Sequence, residues 1–213
     1  MDTFECIVSR QSVRRYDKKD VPNELIGQII HAGTQAPSAG NIQPWEFIVV
    51  KDKKTKKELS IAALRQDFVS EAPVVIVVCV CPEKSGDKYG ERGKYLYCIQ
   101  DTAAAIENML LTANNLGLGA CWVGAFEEEK VKSILNIPEK LRPVALIPIG
   151  FPIRYEEPSK KRRLGFENIT WVDKYDKGFS WMDVHAGGEW KFVITPLDEQ
   201  VKKLKEKLTL RKK

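Results

Sequence analysis

The chain has 213 residues, 43% of them hydrophobic and 30% charged, with a formal net charge of +5. A chain of that length buries a core that needs no disulfide or metal staples, and its balance excludes disordered and fibrous classes. No apolar run is long enough to span a bilayer, and the start lacks the charged and apolar regions of a signal peptide, which predicts a cytoplasmic protein without a membrane partner.

Asp2, three residues before Glu5, reads as the cap of a short first helix. A second helix opens at Pro22 or Asn23, carries Leu25, Ile26, Ile29 and Ile30 at helical spacing, and ends at Gly33 and Pro37. "APSAGNIQPWEF" (36–47) then leads into a short buried strand, "FIVVKD". Lys53 to Leu64 reads as a surface helix. "APVVIVVCVC" (72–81) is a continuous apolar, β-branched run, the pattern of a strand buried on both faces. "PEKSGDKYGERGK" (82–94) reads as a polar loop.

The longest predicted helix runs from about Tyr95 to Leu116, with apolar residues nearly all round, which implies packing against a second subunit as well as its own sheet. The glycines of "GLGACWVGAF" (117–126) end it and lead into a short strand. "EEEKVKSILNI" reads as one more helix and "PVALIPIGFP" (143–152) as another buried strand. From Gly178 the chain becomes aromatic and glycine-rich, "KFVIT" reads as a strand, and "PLDEQVKKLKEKL" forms an amphipathic stripe. Residues 178–213 are therefore predicted to be an extension that docks on something else. The alternation of elements suggests a sheet with helices on both faces, in three layers.

Cys6, Cys79, Cys81, Cys98 and Cys121 include no CxxC pair and read as free thiols, with no metal site. There is no zinc-finger, RRM or Walker signature, so the basic excess near the C-terminus is weak evidence for nucleic acid. In "SRQSVRRY" (9–16), Arg10 and Arg14 are four apart with Ser12 between them. On a helix or tight turn this spacing places both guanidinium groups on one side, which suits a phosphate as well as a plain solvated surface. "SKKRRL" (159–164) is a second basic cluster with the same two readings. In 36–47, Pro37 and Pro44 stiffen the ends, Ala39 and Gly40 permit close backbone approach, and Ser38, Asn41 and Gln43 supply donors and acceptors. That set suits either a ligand edge or a loop that satisfies itself. "GLGACWVG" is no dinucleotide fingerprint, because its glycines follow a helix and precede a strand.

Five pieces, "SRQSVRRY", "APSAGNIQPWEFIVV", "QDTAAAIENMLLTANNLGLGACWVGAF", "PVALIPIGFP" and "KKRRL", stand in the order and spacing of the FMN-dependent nitroreductase family, which the chain resembles over about residues 3–175. The resemblance implies an α+β fold, a three-layer α/β/α sandwich with a mixed sheet and flanking helices, in an intertwined homodimer with FMN at the interface. It implies a flavin-binding domain over 1–177, with 178–213 as the extension. Arg10, Gln11, Ser12 and Arg14 match the first flavin-binding segment, with Arg10 on the phosphate and Arg14 near the N1 end of the ring. Lys161 and Arg163 match the basic pair that closes over the phosphate. Pro37, Ser38, Ala39, Asn41 and Gln43 match the segment that reaches the partner's flavin. Val123, Gly124 and Ala125 match the stretch lining the ring near N5, and Arg65 or Gln66 is a further contact.

The implied activity is reduction of nitroaromatics, quinones or flavin by NAD(P)H, in two half-reactions on one open ring face. Relatives of the same shape that dehalogenate or remodel flavin carry an extra lid, for which the 82–94 loop is short. His31 reads as structural. Trp181, His185 and Trp190 suggest a brace on the partner subunit or a roof over the site. A basic nucleic-acid-binding dimer, using Lys160 to Arg163, leaves the 36–45 loop unexplained.

Overall fold

The computed structural model describes residues 1–153, 163–165 and 168–177. The chain divides into two units, 1–161 and 162–213. Lys161, "KFVIT", Trp181, His185, Trp190 and the whole predicted extension lie outside the described residues. In the second unit, Trp171 and Tyr175 stack with ring centroids 4.6 Å apart, and Val172 N–H donates to the Lys177 carbonyl at 2.8 Å.

The first unit is built on strand β2 (Val74–Val80), buried at every position. Successive side chains of a strand point to opposite faces, so an unbroken apolar run requires cover on both. Val74, Ile76 and Val78 enter one core with Ile26 and Ile29 of α2 (Asn23–Thr34) and Ile106, Met109 and Leu110 of α6 (Cys98–Asn115). Val75, Val77 and Cys79 enter a second core with Leu59 and Ala62 of α3 (Lys53–Ala62), Val69 of α4 (Phe68–Glu71) and Val131 of α7 (Glu128–Leu135). The result is α+β in three layers.

β2 is flanked by β1 (Trp45–Val50) and β4 (Arg142–Gly150), and β3 (Gly119–Ala120) closes the order β1-β2-β4-β3. Among the described residues the three strand pairings are antiparallel, and the bridge from Ser12 to Ala120 is parallel. α1 (Thr3–Ser9) opens as predicted, with Asp2 Oδ1 accepting from the Glu5 N–H at 2.8 Å.

Residues 82–94 are not a loop. α5 (Pro82–Arg92) starts with proline at its first turn, kinks at Gly90 and passes through a π-turn (Gly93–Tyr97) into α6, which begins three residues after the predicted start. Its polarity disguised it, since only Ser85 is buried and no apolar stripe marks a face. The five cysteines are free and buried, and burial pushes the Cys79 thiol up to about 12. Among the described residues no helix is long and apolar enough to cross a membrane, and no side-chain cluster could hold a metal ion.

Candidate functional site

Arg10, Ser12 and Arg14 do not lie on the helix or tight turn that their spacing suggested. α1 stops at Ser9, and the chain then runs extended along β3, where Ser12 bridges Ala120 and Val13 N–H donates to the Ala120 carbonyl at 3.0 Å. The edge of the sheet captured this segment because Gly119 has no Cβ; one built there would lie 2.6 Å from the Val13 side chain. Tyr16 fixes the far end, its buried hydroxyl within reach of the Val13 and Pro148 carbonyls at 2.5 and 3.2 Å. Burial raises its pKa far above the ordinary tyrosine range. Arg10 makes one long ion pair, Nε to Glu107 at 3.6 Å, and Arg14 lies with its guanidinium 5.5 Å from the centre of the Phe68 ring. Gln11 is half-buried beside them.

A second strip meets this one. After α3 the backbone turns through two left-handed residues, Leu64 (φ 57) and Arg65 (φ 60), conformations that cost side-chain-bearing residues energy. The turn is pinned to 125–127: Gln66 Nε2 donates to the Ala63 carbonyl at 2.8 Å and the Ala125 carbonyl at 3.1 Å, and Glu127 N–H to the Ala62 carbonyl at 2.9 Å. Gln66 thus ties the turn to 125–127, and the exposed Arg65 has no ion pair among the described residues. Val123 is buried and doubly bonded to Leu146, at 2.9 and 3.0 Å, which leaves Gly124 and Ala125 exposed beyond the sheet. A Cβ on Gly124 would touch nothing within 4 Å, and its N–H has no partner among the described residues. Phe68 and Gln66 therefore bring Arg14, Arg65 and Gly124–Ala125 to one open corner, where Trp122 is also exposed.

The 36–45 segment forms a compact turn (Ala39–Asn41) with left-handed backbone at Gly40 (φ 57), Asn41 (φ 57) and Gln43 (φ 53). Ser38 Oγ accepts from the Gln43 N–H at 3.0 Å, and Gln43 Nε2 reaches Asn41 Oδ1 at 3.2 Å. Pro44 extends the ladder by accepting from the Cys81 N–H at 2.8 Å. Gly40 permits a close approach, but to its own chain: a Cβ there would collide with Tyr89 Oη and the Lys88 ammonium of α5. Pro37, Asn41 and Gln43 are exposed, and Ser38 and Ala39 half-exposed.

The two groups stand at opposite corners of the sheet. Trp45, next to the loop, is level with Val80 and Arg142, whereas Ser12 and Ala120 are level with Ile149 and Val74, beyond the other edge. Four strand spacings across and six residues along separate them by roughly 25 Å. Arg163 belongs to the second unit and is exposed; Lys161 lies outside the described residues. His31 is exposed on the last turn of α2.

Asp101 was missed. It is buried in the first turn of α6, and its Oδ1 accepts from the Ala39 N–H at 3.0 Å. Burial raises its pKa and the Ala39 bond partly offsets this. In the sequence it stands as one polar residue among several in the helical run "CIQDTAAAIENMLL", with no local signal of its role.

The model of the Nitroreductase family matches residues 7–66 and 57–151. An NADH dehydrogenase of Thermus thermophilus is 30% identical over 197 residues, covering 80% of this chain and 95% of that one. An FMN reductase (NADPH) of Bacillus subtilis is 27% identical over 188 residues, 82% of this chain and 75% of that one. Among solved structures, a nitroreductase family protein from Clostridium novyi superposes with a TM-score of 0.67 at 32% identity, over 84% of this chain and 97% of that one. The matched residues take in the Arg10–Arg14 segment, the strained 36–45 loop and the open corner at Gly124, and the chain belongs to the nitroreductase family.

Proposed function

We propose that the protein is an FMN-dependent oxidoreductase that takes a hydride from NAD(P)H and passes electrons to a nitroaromatic, quinone or flavin acceptor. The observation that carries this reading is the open corner itself. Arg14 is exposed with no ion pair among the described residues; it rests on Phe68, two residues from the Gln66 that bonds Ala125, next to the unused N–H of Gly124, and Arg10 is only weakly paired. Two guanidinium groups and a hydroxyl suit a phosphate, and a fixed cation with a free backbone donor suits the polar edge of a flavin ring. The donor set fits FMN, and the B. subtilis relative is named for that flavin and for NADPH.

Bound FMN supplies the hydride chemistry. Arg10 and Ser12 would hold the phosphate, Arg14 would place positive charge where reduction adds negative charge, and the exposed Gly124–Ala125 strip would lie against the ring. Donor and acceptor would use the open corner in turn, and the kinetics would then be ping-pong. Ser38, Asn41 and Gln43 stand too far from Arg10 to hold the same flavin in one copy, so they serve the site of a second copy. Exposed Ile7 (50%) and Val8 (62%) on α1, with half-buried Ile99 and Ala103 on α6, offer the apolar contact a homodimer needs.

A second reading keeps the flavin and changes the reaction to dehalogenation or flavin remodelling. It is favoured by α5, a helix where a short loop was expected, packed against Gly40. One experiment separates the two: an absorbance spectrum of the purified protein, repeated after anaerobic NADH and NADPH. The expected result is a yellow protein that releases FMN and is bleached by at least one nucleotide. A yellow protein that neither nucleotide bleaches selects the second reading, and a colourless protein that FMN cannot reconstitute overturns both.

A further inference from the structure

We propose that Asp101 is the positioning residue of the flavin-contacting loop: its carboxylate fixes Ala39, and through it Ser38, Asn41 and Gln43, in the conformation that meets the cofactor. The proposal rests on the flavin reading above and assigns a role to a residue outside that site.

The loop is under strain, with three left-handed residues in four, two of which carry side chains. Its internal hydrogen bonds, Asn41 N–H to the Ser38 carbonyl at 2.9 Å and Gln43 N–H to Ser38 Oγ at 3.0 Å, tie the loop to itself and fix its shape, not its place. Its place is set from outside. Tyr89 and Lys88 of α5 close on Gly40 by contact, and Asp101 holds the Ala39 N–H at 3.0 Å by a directed bond across 62 residues of sequence. The first N–H groups of a helical turn have no acceptor within it, and here the acceptor comes from α6.

The burial of Asp101 argues for position over stability. It is only 6% exposed, and its Oδ2 has no hydrogen-bond partner among the described residues. A half-satisfied buried carboxylate costs stability, and an apolar side chain in the same helix face would avoid that cost. What an apolar side chain lacks is an acceptor aimed at Ala39.

The test uses the full chain, stripped of flavin, and FMN as the titrant. Asp101→Ala removes the acceptor, Asp101→Asn keeps an amide oxygen in its place, and Ala39→Pro removes the donor while leaving Asp101 untouched. Ser38 is already extended (φ −139, ψ 151), as a residue before proline must be, so the last variant suits the local backbone. Fluorescence quenching gives the FMN dissociation constant, visible circular dichroism reports the asymmetry around the bound ring, and melting of the apo-protein monitors the fold. The expected result is FMN affinity weakened roughly ten- to a hundredfold in Asp101→Ala and Ala39→Pro, the scale of a lost hydrogen bond to a charged group. Asp101→Asn is expected to stay within about threefold of the native chain, because the acceptor survives. If Asp101→Ala does not fold, Ala39→Pro alone decides.

Native affinity in a folded variant lacking either donor or acceptor overturns the proposal. So does an Asp101→Asn that fails as badly as Asp101→Ala, since charge would then matter and not placement. A native chain that binds no FMN overturns the flavin reading instead, so the two failures are distinguishable.

Discussion

A guanidinium resting on an aromatic ring is oriented before any ligand arrives, and Arg14 over Phe68 is such a group. On the flavin reading its charge would matter most after reduction, when the ring has gained electrons. Arg14→Ala is therefore expected to weaken FMN binding and to lower the two-electron midpoint potential by on the order of 30–60 mV, since about 30 mV corresponds to 1.4 kcal/mol for such a couple. A dye-equilibrated redox titration measures it, and an unchanged potential removes Arg14 from that role. That Arg10, Ser12 and Arg14 fall in one short segment was legible in the sequence. The backbone beneath them was not, because i and i+4 share a side of a helix while i, i+2 and i+4 share a side of extended chain. Asp101 was illegible for a different reason. Nothing local distinguishes a buried acceptor from a solvated acid, and its partner is 62 positions away.

Among the elements, β2 could be read outright: seven consecutive apolar residues, nearly all β-branched, point to a strand covered on both faces. α5 could not be, because its charges at 83, 84, 87, 88, 91 and 92 look like those of any solvated loop. Its identity comes from tertiary contact. The π-turn folds back so that a Cβ on Gly93 would collide with the Ser85 carbonyl, and Tyr89 meets Tyr97 edge to face at 5.4 Å. Gly90 makes the fold-back possible, at φ 58 and ψ −147, a region that residues with a Cβ avoid. A Cβ at Gly90 meets nothing within 4 Å, so a substitution there reports backbone strain alone. Gly90→Ala should cost about 1–3 kcal/mol in urea denaturation. Because α5 holds Gly40, the same variant should loosen the 36–45 loop and weaken FMN binding. A variant as stable as the native chain means that the backbone at Gly90 relaxes without strain.

The sheet order β1-β2-β4-β3 puts the 36–45 loop and the Arg10–Arg14 segment at diagonal corners, and no local pattern in the sequence contains that fact. It follows from long-range pairing, β4 entering between β2 and β3 after α6 and α7 have passed over opposite faces. One consequence can be tested with two variants that each fail alone. If each flavin is held by the Arg10–Arg14 segment of one copy and the loop of the other, Arg14→Ala and Asp101→Ala each damage both sites of their own homodimer. In a mixed dimer the two lesions fall together on one site and leave the other intact. Differently tagged copies, co-expressed and purified through both tags, should bind one FMN per dimer with native affinity and show about half the native turnover. If both groups instead served a flavin within one copy, each site of the mixed dimer would carry a single lesion and none would bind with native affinity. The stoichiometry of tight FMN binding, one or zero per mixed dimer, therefore decides whether the diagonal geometry is completed by a second copy of the chain.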